Sequence, residues 1–341
     1  MIQGIGAHAA ALSRRIVFGM LGALAYMPVQ ADTDIFRDKF ISLATSSRSG
    51  TFHLVGTKLC DAVNRERKTS LIRCVTYNTI GSEYNAKAVA YGEHAMGITR
   101  PDIAHAEYSR KNQSELNGAG LRAVMSLHAT PVMMIARRGA NISDANQIAG
   151  KSINLGNRGS SQRITVELLL KNMGLTPSSF SAVTELHTTT MGDAFCQGKV
   201  DVIVESLGNP SPFYKRMIEE CNGVILAFPP ALIDKILAAN PLMTRLAIPG
   251  GLYAGYSQPV PTFGFRAMLV TRQDVSEEAV YRFVSSVMNG LEDMKKSDPA
   301  LQDLDAEKMF IDSIAIPLHP GVLTYLNQRK TAASNVKTSS R

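Results

Sequence analysis

Two rhythms of apolar positions alternate along this chain. Short apolar runs such as FISLAT (40–45), LIRCVTY (71–77) and AMGIT (95–99) read as buried strands. Between them lie stretches with apolar residues at helical spacing. One has Val55, Leu59, Ala62 and Val63 on one face, and another runs from about Ser82 to Tyr91 and breaks at Gly92. RAVMSLHATPVMMIAR (122–137) predicts two strands around Pro131, and PTFGFRAMLVTR (261–272) predicts a strand pair. A short helix in ISDANQIAG precedes a strand at Ser152–Leu155. The following helix places Val166, Leu169, Leu170 and Met173 at i, i+3, i+4 and i+7, with Gly174 as its C-terminal cap. GKVDVIVES (198–206) is a further strand, and residues 276–294 predict one long amphipathic helix opened by Ser276. Strands alternating with helices define an α/β architecture.

The places where strand gives way to helix are more informative than the elements. Turns rich in Gly, Ser and Thr open helices at 45–53, 78–85 and 156–163, and a Gly/Pro turn ends a strand at 206–212. In open α/β sheets ligands sit beyond the carboxyl ends of strands, where helix N-termini present unpaired N–H groups and partial positive charge. The stretch GNRGSSQR (156–163) therefore has two readings. Gly159, Ser160, Ser161 and Gln162 hold an anion, or they merely cap a helix. Arg158 and Arg163 either neutralise that anion or are solvated. Thr45, Ser47, Gly50, Thr51 and Phe52 form a second candidate half-site or a tight turn, as do Gly81, Ser82 and Asn85. Gly208, Asn209 and Pro210 shape the far wall. The histidines at 94, 105, 128, 187 and 319 show no spacing that carries chemistry, and His319 reads as a turn hydrogen-bonder.

Composition narrows the class. Of 341 residues, 45% are hydrophobic and 19% charged, which is globular and not disordered. Residues 1–31 carry Arg14 and Arg15, the apolar run IVFGMLGALAYM and a small-residue cleavage site before Asp32, which predicts a secretory signal peptide and a periplasmic location. Without that segment 34 bases face 29 acids, a mildly basic +5. There is no Lys/Arg run of the kind that binds nucleic acid. Cys60, Cys74, Cys196 and Cys221 all lie in the exported part, where an even count predicts disulfides with three possible connectivities, the local pairs Cys60–Cys74 and Cys196–Cys221 closing the shortest loops. Their spacing suits no metal site, and no cofactor motif is present. The tail KTAASNVKTSSR reads as disordered, and residues 331–341 are assigned to it.

An ordered set of motifs over residues 40–330 resembles the TAXI-type solute receptors of TRAP transporters: ATSSRSGTFHLVGTKLC, NTIGSEYN, GITRPDIAHAEY with its acid at Asp102, NLGNRGSSQRIT, AIPGGLY, PTFGFRAMLVT and IPLHPGVLTYL. The two local cysteine pairs also occur in part of that family. The resemblance implies a type II periplasmic binding protein of two α/β lobes, with residues 32–130 and 262–330 in the first and 131–261 in the second. It implies a glutamate-, 2-oxoglutarate- or dicarboxylate-like ligand, delivered to a membrane permease, with the ligand carboxylate as the anion of 156–163. Two departures stand out. Arg100 replaces a common glutamine and is either a carboxylate clamp or the ion-pair partner of Asp102. His53 replaces an aromatic residue. The expected mechanism is hinge closure near Thr130–Met133 and Pro259–Gly264. Two rival functions remain open: a sensory protein presenting its ligand to a receptor kinase, and an exported Ser/His hydrolase, for which no nucleophile motif is present. An ATP-driven permease as partner is open too.

Overall fold

The computed structural model describes residues 40–110 and 120–339; the signal-peptide expectation falls outside them. Among these described residues ten strands form the frame: β1 Phe40–Ala44, β2 Arg73–Tyr77, β3 Met96–Thr99, β4 Leu121–Arg137, β5 Ser152–Asn154, β6 Ala182–Thr184, β7 Val202–Ser206, β8 Gly223–Leu226, β9 Thr244–Ile248 and β10 Val260–Arg272. Along the sheet their order is β2-β1-β3-β10-β4-β7-β5-β6, with β8 beside β4 and β9 beside β10. β1 pairs in parallel with β2 and β3, and β5 in parallel with β6 and β7. The two parallel groups are joined by β4 and β10, which run antiparallel to each other.

Both long strands were expected as broken pairs, and each is continuous. Pro131 has no N–H to give the ladder, but it sits opposite Gly264, where the backbones approach so closely that a Cβ on Gly264 would lie 2.3 Å from the Thr130 carbonyl. At this point β4 changes partners, from β10 before Pro131 to β7 and β8 after it. The expected break is thus a handover between neighbours within one strand.

Among the described residues nine longer helices cover the sheet: α1 Thr51–Arg65, α2 Ser82–Ala90, α3 Pro101–Tyr108, α4 Ser161–Met173, α5 Thr188–Cys196, α6 Pro230–Ala239, α7 Glu277–Asn289, α8 Leu291–Ser297 and α9 Pro320–Ser339. The segment 276–294, expected as one helix, is interrupted at Gly290, which lies against α1; a Cβ there would sit 3.0 Å from that of Ala62. The last helix runs to Ser339, through most of the tail whose composition suggested disorder. Leu71 adopts a left-handed conformation (φ 58°) after the short helix Arg67–Ser70, so β2 begins at Arg73 and not at Leu71.

Because side chains alternate across a strand, β4 feeds four separate cores. Val124, Met125 and Leu127 pack with α1, α7 and α8, while Ala123 faces α2 and α3. Beyond Pro131, Val132, Met134 and Ala136 pack with α4 and α6, and Met133 and Ile135 with α5 and the segment Tyr214–Ile218. Each half of the sheet is sandwiched between helices, which gives two α/β lobes. One disulfide lies in each: Cys60–Cys74 ties α1 to β2, and Cys196–Cys221 ties the end of α5 to the turn before β8.

Candidate functional site

Between the lobes is a cavity of about 290 Å³. Helix starts from both lobes form its wall. Gly50, Thr51 and Phe52 come from the start of α1 and Gly81 from the cap of α2. Ser160, Ser161 and Gln162 come from the start of α4, and His187, Thr188 and Thr189 from the start of α5. Neither Gly50 nor His187 caps its helix with a side chain; at α1 Ser46 Oγ accepts from His53 N at 3.3 Å, and the earlier N–H groups of Thr51 and Phe52 face the cavity end of the helix. At α4, Ser160 Oγ does accept from Arg163 N at 3.1 Å. GNRGSSQR is therefore a helix cap and a cavity wall at once. Gly156 is held to its residue type twice over: its φ is 83°, and a Cβ would lie 2.8 Å from Gln162 Oε1.

The wall is rich in hydroxyls, with Ser46, Ser47, Thr79, Thr130 and Ser206 beside those of the helix starts. Among the described residues that line it there is no lysine or arginine. Its one acid is Glu205, at the end of β7. The carboxylate is buried and accepts from Thr188 Oγ1 at 2.9 Å and from Ser206 N at 3.1 Å; burial outweighs both bonds and pushes its pKa up to about 7.

Of the residues singled out in the sequence, Ser47, Gly50, Thr51, Phe52, Gly81, Ser160, Ser161 and Gln162 line the cavity. Several of the others brace it from behind, while Gly159 and Arg158 lie away from it. Thr45 is buried, its hydroxyl donating to Tyr77 O at 2.8 Å. Asn85 donates to Thr45 O and Ile98 O, both at 2.6 Å, tying the ends of β1 and β3 together, while Ser82 accepts through its carbonyl from Thr99 Oγ1. Gly208 N donates to Thr51 Oγ1 at 3.0 Å, a bond that crosses from one lobe to the other. Asn209 accepts from the Tyr253 hydroxyl and precedes Pro210 through a cis peptide. Gly159 sits outside the lining, at φ 76°. Arg158 is exposed and pairs with Glu185, which also pairs with Arg163. His53 shares hydrogen bonds with Thr45 and Asn78 and does not reach the cavity.

Of the two readings of Arg100, the ion pair with Asp102 is the one the structure displays. Arg100 is fully buried and is not part of the cavity wall. Its Nε and Nη2 make a bidentate pair with Asp102 at 2.9 and 2.7 Å, its Nη1 donates to Thr165 Oγ1 at 2.7 Å and to Ser161 O at 3.4 Å, and its guanidinium lies 4.7 Å from the Phe265 ring centroid. The ion pair with Asp102 thus joins a fully buried guanidinium to a carboxylate that is 34% exposed. The arginine spends its other side on α4 of the facing lobe, not on the cavity.

The wall residues that sequence reasoning passed over are Ser46, Thr79, Ile80, Thr130, Asn157, His187, Thr188, Thr189, Glu205, Ser206 and Leu207. A signal existed for the triplet 187–189. LHTTTM follows a short strand and opens a helix, the same pattern that marked the other turns. Glu205 gave none, because VIVES reads simply as a buried strand.

Two α/β lobes joined by long antiparallel strands, with helix N-termini converging on the cleft, define a solute-binding protein fold of the periplasmic type. A family model, the NMT1-like family, matches residues 43–328, and the chain belongs to that family. Among solved structures the fold is similar to MatC (Rpa3494) from Rhodopseudomonas palustris with bound malate, at 15% identity and a TM-score of 0.54, covering 87% of this chain and 98% of that one. It is also similar to the periplasmic aliphatic sulphonate binding protein SsuA from Escherichia coli, at 14% identity and a TM-score of 0.47, covering 85% and 78%.

Proposed function

We propose that this protein is a periplasmic receptor, not an enzyme, that captures a small carboxylate by closure of its lobes and passes it to a membrane permease of the TRAP type. The observation that carries the reading is the convergence of the α1, α2, α4 and α5 starts on one small hydroxyl-lined cavity. Helix N-termini stabilise negative charge through aligned dipoles and free N–H groups, and a cavity this size suits a ligand of a few carbons. The malate held by the similarly folded MatC belongs to the same chemical class. The TRAP partner rests on the sequence motifs and the exported location on the leader-like residues 1–31. In this reading residues 32–130 and 262–330 form one lobe and 131–261 the other. The hinge lies near Thr130–Met133 and Pro259–Gly264.

The test is thermal melting of protein beginning at Asp32, unfolded and refolded to remove carried ligand. The panel holds malate, 2-oxoglutarate, glutamate, glutamine, monocarboxylates and neutral controls. A ligand at about a hundred times its Kd stabilises by about 2.7 kcal/mol, several degrees of melting temperature. Carboxylates are expected to raise the melting temperature and neutral controls to leave it unchanged. No shift from any carboxylate between pH 5.5 and 8 overturns the reading.

A further inference from the structure

A carboxylate ligand in this cavity shares about 290 Å³ with the Glu205 carboxyl, and no lysine or arginine lines the wall among the described residues. Two negative charges so enclosed, with only hydroxyls and helix ends around them, repel each other, and the site relieves this by keeping a proton on one of them. The ligand carboxylate is the stronger claimant on the helix N-termini. Glu205 is buried beside them, on the last turn of a strand whose neighbours in β4 are apolar. We propose that Glu205 is the proton-bearing, specificity-determining residue of the site, so that the protein binds its carboxylate ligand together with one proton. The inference rests on the carboxylate reading and adds the protonation state of the complex. The step is simple: a proton from solvent joins the Glu205 carboxylate, and the neutral acid donates a hydrogen bond within the cavity where an ion would repel.

The surroundings agree. Thr188 on α5 and the Ser206 N–H are the polar partners of Glu205. From β4, Met133 lies opposite it in register. The ionisable groups nearby are the Tyr214 hydroxyl, which feels the Glu205 charge, Tyr253 packed edge-on to Tyr214 at 6.2 Å, and His187 in the cavity wall. None brings a fixed positive charge. Burial by the protein alone raises the pKa of Glu205 to about 7, and a bound anion raises it further.

Calorimetry with malate, 2-oxoglutarate and glutamate as separate probes tests this between pH 5.5 and 8, each in two buffers of different ionisation enthalpy. The expected result is uptake near zero at pH 5.5 rising toward one proton per bound probe at pH 8, with affinity falling about tenfold from pH 6 to pH 8. Glu205→Gln should flatten that fall, while His187→Asn should leave it in place. The proton count on the unmodified protein needs no variant, so misfolding of Glu205→Gln would not spoil the test. Binding of a probe without proton uptake, or a pH dependence that follows His187, overturns the role of Glu205 and leaves the receptor reading standing. Glutamate binding that needs an ionised Glu205, with no uptake, also overturns it, the ammonium then being the partner. Failure of these probes and of the monocarboxylates at pH 5.5, where Glu205 is neutral, overturns the carboxylate reading and this inference with it.

Discussion

Arg100 shows how one side chain can hold a site without touching it. Its guanidinium joins Asp102 and Phe265 in one lobe to Thr165 and Ser161 O in the other. Removing the guanidinium strands Thr165 Oγ1, while Asp102, 34% exposed, can turn to water. Arg100→Gln is expected to destabilise the protein by about 2 kcal/mol in urea unfolding. Carboxylate affinities should weaken together, with the ratio of malate to monocarboxylate binding unchanged. A selective loss of dicarboxylate binding would return Arg100 to the role of a ligand clamp.

Two other buried residues give stability opposite dependences on pH. His128 is fully buried with neither ring nitrogen hydrogen-bonded, and burial, with a smaller contribution from Arg266, lowers its pKa from 6.5 to about 3. The unfolded chain binds that proton and the native one does not, so stability is lost as pH falls from 6.5 toward 3. Glu205 is raised from 4.5 to about 7, so the native state holds the extra proton, and stability is lost as pH rises from 4.5 to 7. In urea unfolding of the ligand-free protein, His128→Phe should flatten the acid limb and Glu205→Gln the limb between pH 4.5 and 7. An unchanged profile in either variant refutes that assignment.

At the scale of elements, the sequence carried the strands and helices with strong period-2 or period-3.6 patterns, because those patterns survive in any buried sheet and its covering helices, and it passed over β6, β8, β9, α3, α5, α6 and α9. It failed at Pro131 and at Gly264, where local rules say stop and tertiary structure says continue. A proline without an N–H is tolerated because β4 changes partners there, and the glycine opposite supplies the space. Gly264→Ala should therefore cost about 2 kcal/mol through the clash with Thr130 O, measurable as a lower urea midpoint. A neutral effect would mean that the crossing has slack. The candidate site was legible only where a turn announced a helix. Ser160, Ser161 and Thr51 were read from their type and place, whereas Glu205 lies within an apolar strand and gains its chemistry solely from what folds around it. Arg100 was legible only as a choice between ligand clamp and partner of Asp102; the Asp102 pair is present, whereas the bond to Thr165 on α4 comes from tertiary placement that the sequence does not carry.

At the scale of the whole molecule, the cleft is bridged by bonds that exist only while the lobes are close: Gly208 N to Thr51 Oγ1 at 3.0 Å, and Arg100 Nη1 to Thr165 Oγ1 at 2.7 Å. If closure is the functional motion, these bonds and the ligand stabilise the same state, and removing one taxes the affinity of the other through the closed population. Thr51→Val keeps the shape of the α1 start but loses the acceptor for Gly208 N. It is expected to lower urea stability by about 1 kcal/mol, because the buried Gly208 N–H loses its acceptor. Ligand affinity should fall severalfold, because the open form gains relative to the closed one. Small-angle scattering checks the shared cause: the ligand-free variant should show a larger radius of gyration than the unmodified protein, and saturating carboxylate should bring both to the same smaller value. Equal radii without ligand, together with weaker binding, would assign Thr51 to direct ligand contact alone and leave the cross-cleft bond without a part in closure.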